Sequence, residues 1–113
     1  MFLYGALADR DVLFLVTRIP VDPEDAWIES HEKLRGAFHE PTICRRPGRR
    51  VGGLLVRGAS DLLMQRLDGY YGPNYHRKGL SVCSRTGTIR AQVYALASKR
   101  RVQEGAIDIL RPS

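Results

Sequence analysis

Two cysteines, Cys44 and Cys83, are all that this chain of 113 residues carries. That excludes a small domain stapled by several disulfides. Each falls in a strand-like segment, so the expectation is two buried, reduced thiols in a cytosolic protein. With no close histidine pattern beside them they are also too few for zinc. No metal and no cofactor is implied. Long apolar runs are missing as well, and none approaches the ~20 residues that span a bilayer. The apolar residues at the N-terminus follow no basic segment, and Val12–Val16 is too short for a signal sequence. These absences point to a cytoplasmic protein with no membrane partner. Internal repeats and low-complexity segments are absent too.

What is present suits one domain with a single core. Hydrophobic residues make up 43% and charged residues 27%. The net charge is +6. Arg45, Arg46, Arg49 and Arg50 form one basic group, and Lys99, Arg100 and Arg101 another. Such groups can attract polyanions. No nucleic-acid motif accompanies them and no aromatic platform lies beside them in sequence. The expected state is a solvated hairpin tip and a polar tail, with no nucleic-acid partner.

Local signals divide the chain into strands and helices. Met1–Tyr4 reads as a strand that stops at Gly5. Asp9 is placed to cap a short helix carrying Val12, Leu13, Leu15 and Val16, with Asp11 in its first turn. Pro20 and Pro23 end it. Asp22-Pro23-Glu24-Asp25 then has the form of a second helix start, so Ala26–Lys33 is open between helix and strand. Thr42–Arg45 and Val51–Arg57 read as the arms of a hairpin turning at Pro47-Gly48. Ser60 caps a helix whose Leu63 and Leu67 share a face. Tyr75–Ser84 and Thr88–Ala97 are strands joined at Thr86-Gly87. In the second, Ile89, Ala91, Val93 and Ala95 lie on one side. Val102–Leu110 has a helical tendency. The fold class is α+β, with strands outnumbering helices. Residues 1–97 form the domain and 98–113 a basic C-terminal extension with a helical tendency.

The connection Leu67–Arg77 reads L-D-G-Y-Y-G-P-N-Y-H-R. It is expected to run from a helix that ends at its start to a strand that begins at its end. Gly69 and Gly72 permit a bend there. Three tyrosines in that bend suit a half-buried pocket wall. Taken with the opening Tyr4-Gly5-Ala6-Leu7, a strand followed by Y-G-x-L, the chain resembles the γ-glutamyl cyclotransferase-like family. That family includes γ-glutamylamine cyclotransferases and plant avirulence-induced proteins. Supporting pieces are Arg46-Pro47-Gly48, Val51–Val56, Leu62–Leu67, Leu80-Ser81-Val82 and Ala91–Tyr94, so the likeness covers residues 1–97. It implies a small mixed β-barrel with peripheral helices. It favours a strand around Ala26–Phe38 with Gly36 as a bulge or point of close approach.

The resemblance also implies a site. In the family the Y-G-x-L loop holds the substrate, and its backbone N–H groups face the acidic end or reacting carbonyl of a γ-glutamyl group. A turn with exposed N–H groups can hold an anion or a developing oxyanion. Here that loop is Tyr4, Gly5, Ala6 and Leu7, and Ala6 lacks the hydroxyl usual at the third position. The second motif normally carries a glutamate that takes the α-ammonium proton, so that the amine closes 5-oxoproline on the γ-carbonyl. Tyr71 stands in its place. A phenol has an unperturbed pKa near ~10, and losing a positioned base removes ~10²–10⁴-fold in rate. The implied substrate-binding residues are therefore Tyr4, Gly5, Ala6, Leu7, Tyr71 and Tyr75, and the catalytic residue is unknown. The expected partner is a γ-glutamyl or other carboxylate compound, with ordinary cyclotransferase turnover lost. The alternatives are an enzyme using another base, a non-catalytic binding protein, or a basic interaction module reusing the fold. Asp68 is expected to contact the helix end or pair with Arg77. His31, Glu32, His39 and Glu40 are expected to be solvated or paired. On a strand His76 faces away from Tyr75.

Overall fold

A computed structural model describes residues 1–36 and 38–97. Five strands close a barrel in the order β1 (Phe2–Leu3), β3 (Pro41–Leu55), β2 (Glu24–Arg35), β4 (Tyr75–Ser84) and β5 (Gly87–Leu96). Four neighbouring pairs are antiparallel. The seam between β1 and β5, where Phe2 lies opposite Val93, is parallel and makes the barrel mixed. Two helices, α1 (Arg10–Thr17) and α2 (Asp61–Tyr71), pack outside.

The alternation of strand side chains builds two cores. Phe2, Ile28, Leu55, Val82, Ala91, Val93 and Ala95 face one way and fill the barrel. Leu3 and Tyr94, each one residue further on, face the other way. They meet Leu7, Leu13, Leu63 and Leu67 from beneath the helices. The helix signals are the expected ones. Asp9 Oδ1 accepts from the N–H groups of Asp11 at 2.8 Å and Val12 at 3.1 Å. Ser60 Oγ accepts from Leu63 N–H at 3.1 Å. Such caps satisfy amides that have no partner inside the helix.

The long hairpin is where the structure departs from the local reading. Glu24–Arg35 is one strand, so Asp22-Pro23 starts no helix. The hairpin is formed by β2 and β3, and at its end Gly36 N–H donates to Glu40 O at 2.8 Å. Pro47-Gly48 is not its tip. Thr42–Arg45 pairs with His31–Leu34 and Arg50–Leu55 with Glu24–Glu29, so both arms of the expected hairpin lie end to end on one partner. Between them Arg46–Arg49 lie opposite the single residue Ser30. A bulge uses the same residues as a turn. Pro47 has no N–H to leave unpaired and Gly48 takes φ +84°. Ser30, at φ 57°, marks the irregularity that had been assigned to Gly36.

Helix α2 is also longer than expected. It runs through Gly69 and Tyr70 to Tyr71, and only Gly72, at φ +84°, ends it. Packing of Leu63, Leu67 and Tyr71 against the outer core outweighs the modest helix cost of Gly69. The two cysteines are free, as expected, but half-buried and not fully buried. The expected helical tendency of Val102–Leu110 lies outside the described residues. Among the described residues no helix is long and apolar enough to cross a membrane.

Candidate functional site

One wall of the site starts at the end of β1. Tyr4 lies two residues after Phe2 and so shares its inward face, with the rings stacked at 6.5 Å. Tyr4 is 2% exposed, and its hydroxyl donates to Tyr94 O at 2.7 Å. The chain then leaves the barrel through a 3-10 turn, Gly5–Ala8, with Gly5 at φ +71°. This turn lies against the start of β3, where a Cβ on Gly5 would sit 3.8 Å from Pro41 Cβ.

The facing wall comes from the end of α2 and the start of β4. Tyr71 lies flat on Tyr94, with ring centroids 4.1 Å apart, and against Tyr75 at 4.8 Å. Tyr70 meets Tyr71 edge-on at 5.3 Å. Tyr75 donates its hydroxyl hydrogen bond to Pro41 O, tying β4 to the beginning of β3. Between the walls is a cavity of about 320 Å³. Tyr4, Ala6 and Leu7 line one side, Tyr70, Tyr71 and Tyr75 another, and Glu40 and Pro41 the third. Five of the six residues expected at a site thus meet around one space. Gly5 shapes the turn without lining it.

Tyr4, Tyr71 and Tyr75 stay neutral at physiological pH. Burial, then the neighbouring tyrosines, pushes Tyr71 and Tyr4 well above the usual phenol range. Tyr75 is pushed up to about 12, first by burial and then by the negative charge of Glu40. The hydroxyls of Tyr4 and Tyr75 are committed to backbone carbonyls. That of Tyr71 makes no hydrogen bond among the described residues.

Glu40 was expected to be solvated or paired, and the structure places it on the cavity wall. No local pattern marks it, because it lies 31 positions before Tyr71. Only the β2–β3 register, with Arg35 opposite Pro41, brings it round. His39, its neighbour, is exposed, and His31 lies near Glu29 O at 2.8 Å. Asp68 behaves as expected. It pairs with Arg77 at 3.2 Å and also accepts from the Tyr94 hydroxyl at 2.5 Å. Those groups line a separate cavity of about 260 Å³ together with His76. Tyr75 borders both spaces.

The arginine group sits on the β3 bulge and not at a hairpin tip. Arg46 pairs with Glu32 at 3.5 Å and Arg50 with Glu29 at 3.0 Å. Contrary to the expectation of no aromatic neighbour, Trp27 from β2 lies beneath Arg50, with the guanidinium carbon 5.2 Å from the ring centroid. Strand pairing places it there from 23 positions away. Among the described residues no three His, Cys, Asp or Glu side chains gather as metal ligands would.

The fold has solved counterparts. A solution structure from Arabidopsis thaliana superposes with a TM-score of 0.71 at 19% identity, covering 88% of this chain and 64% of that one. A second from Arabidopsis thaliana gives 0.71 at 20% identity, with 99% and 73% covered. A structure described as γ-glutamyl cyclotransferase gives 0.68 at 17% identity, with 86% and 65% covered. The chain therefore spans less than two thirds of the length of the first of these, and at such identities the likeness concerns fold. No curated protein matches the sequence. The family described as γ-glutamyl cyclotransferase, AIG2-like, matches residues 1–110. With the closed mixed barrel and that match across nearly its whole length, the chain belongs to the γ-glutamyl cyclotransferase, AIG2-like family.

Proposed function

We propose that the chain binds a γ-glutamyl or related carboxylate compound in the cavity between the Gly5–Ala8 turn and the tyrosine wall, and that Tyr71 is not a base there. The convergence of Tyr4, Ala6 and Leu7 with Tyr71 and Tyr75 around about 320 Å³ carries this reading. A volume of that size suits a small amino-acid derivative. The amides that open the 3-10 turn receive no side-chain cap. They have no partner inside the turn and can donate to a carboxylate or an amide carbonyl. The neutral tyrosines add apolar faces, and the Tyr71 hydroxyl is free to donate to a bound oxygen.

A titration of the labelled protein with 5-oxoproline and with a γ-glutamyl amine, followed by amide NMR, tests this reading. Saturable shifts are expected at Gly5, Ala6, Leu7, Tyr71 and Tyr75. Shifts confined to the arginine-bearing bulge of β3 would favour the interaction-module alternative instead.

A further inference from the structure

We infer that Glu40 is the proton acceptor of this site, supplying from the β2–β3 turn the carboxylate that position 71 lacks. The inference rests on the γ-glutamyl reading above and names the residue that would give it turnover. Glu40 is the single carboxylate among the described residues lining the cavity, and no histidine or lysine lines it. Tyr4, Tyr71 and Tyr75 around it are neutral phenols, so proton acceptance at this site falls to Glu40.

Local contacts set its position. Gly36 N–H donates to Glu40 O at 2.8 Å, and His39 N–H donates to Gly36 O at 3.0 Å. The next residue, Pro41, is held through its carbonyl by the Tyr75 hydroxyl and lies against Gly5. Glu40 Oε1 accepts from Phe38 N–H at 2.8 Å in an exposed hydrogen bond that orients the carboxylate, and Oε2 makes no hydrogen bond among the described residues. The charge of Glu40 is felt at Tyr75, so the two groups share one electrostatic environment.

A carboxylate at this point has two uses. It pairs with the α-ammonium of a bound γ-glutamyl amine, and it takes a proton from that group. The freed amine attacks the γ-carbonyl carbon and forms the ring C–N bond. The bond to the leaving amine then breaks. In all, the ring nitrogen gives up two protons and the departing amine gains two. Glu40 relays them and ends as it began, with no co-reactant. The ligand class follows. It must carry a primary ammonium within reach of Glu40, and a deaminated analogue lacks the group that docks there.

The test uses the whole chain with a γ-glutamyl alkylamine, reading binding by calorimetry and 5-oxoproline by chromatography. The unmodified protein is expected to bind and to release 5-oxoproline. Glu40→Gln keeps the acceptor for Phe38 N–H and should fold normally. It is expected to lower kcat by ~10²–10⁴-fold and to raise KM, because the α-ammonium loses its charged partner, and Glu40→Asp to recover part of both. Full kcat in Glu40→Gln would overturn the inference, as would binding by the unmodified protein without any release. That second outcome leaves the binding reading standing. Absence of binding overturns both.

Discussion

The barrel interior and the tyrosine wall are built on opposite terms. Inside the barrel, Phe2, Ile28, Val82 and Val93 are at most 1% exposed and bring no polar atoms beyond the backbone, which the strand ladder satisfies. The wall is made of Tyr70, Tyr71 and Tyr75, half-buried or exposed, each with one polar atom that needs a partner. The interior is held by shape and exclusion of water. The wall is held by ring stacking on Tyr94 and a few hydroxyl bonds. Rigidity has been placed where the chain must close, and adaptable polar groups around the cavity where ligand is proposed to bind.

The comparison breaks most visibly at Phe2. Phe2→Ala empties the seam where β1 joins both β3 and β5. It should cost ~3–5 kcal/mol, measured by urea unfolding. Gly53→Ala attacks the same seam by overfilling it. A Cβ there would come within 2.2 Å of Leu3 O and 2.8 Å of the Phe2 ring. The expected cost is ~1–3 kcal/mol, again by urea unfolding.

Alkaline titration probes the wall. Tyr75 titrates at about 12 in the folded chain, against ~10 when unfolded. A raised folded value means that the neutral phenol stabilises the fold. That contribution is complete below pH ~10 and is lost as pH rises toward 12. Tyr4, Tyr71 and Tyr94 are shifted in the same direction, each first by burial. Stability followed by circular dichroism should therefore fall across that interval, with tyrosinate absorbance rising alongside unfolding. Absorbance reaching its plateau while the dichroism is still native would show an open wall.

The smallest effect lies outside both regions. Nucleic acid should bind only weakly and lose affinity steeply with salt, because Glu29 and Glu32 already pair with Arg50 and Arg46. Arg50 also covers the Trp27 ring. A fluorescence-polarisation series across salt concentrations reads this, and tight, sequence-selective binding at physiological salt would contradict it.

Features governed by neighbours in sequence were legible before any coordinates. The caps at Asp9 and Ser60, the Leu63–Leu67 face and the alternation of β5 are all local. Tyr71 stood out locally as part of the aromatic bend, but its meeting with Tyr4 was implied only by a resemblance to a family, since nothing within ten residues of either reveals the other. Glu40 and Trp27 escaped because strand register, and not spacing, sets their neighbours. Pro47-Gly48 misled for another reason. The same two residues serve a turn and a bulge, and the choice depends on a partner strand that pairs on both sides of them. Gly69 misled because packing of the helix outweighed its weak helix propensity.

The excursion at Arg46–Arg49 makes β3 elastic in length. Pairing resumes in step on either side of it, and a Cβ on Gly48 would meet open space. Barrel closure is therefore indifferent to how much chain loops out between Pro47 and Gly48. A short epitope or a dye-bearing peptide grafted there would ride on the outside of the barrel as a reporter of where the protein goes, on a surface separate from the one where ligand is proposed to bind.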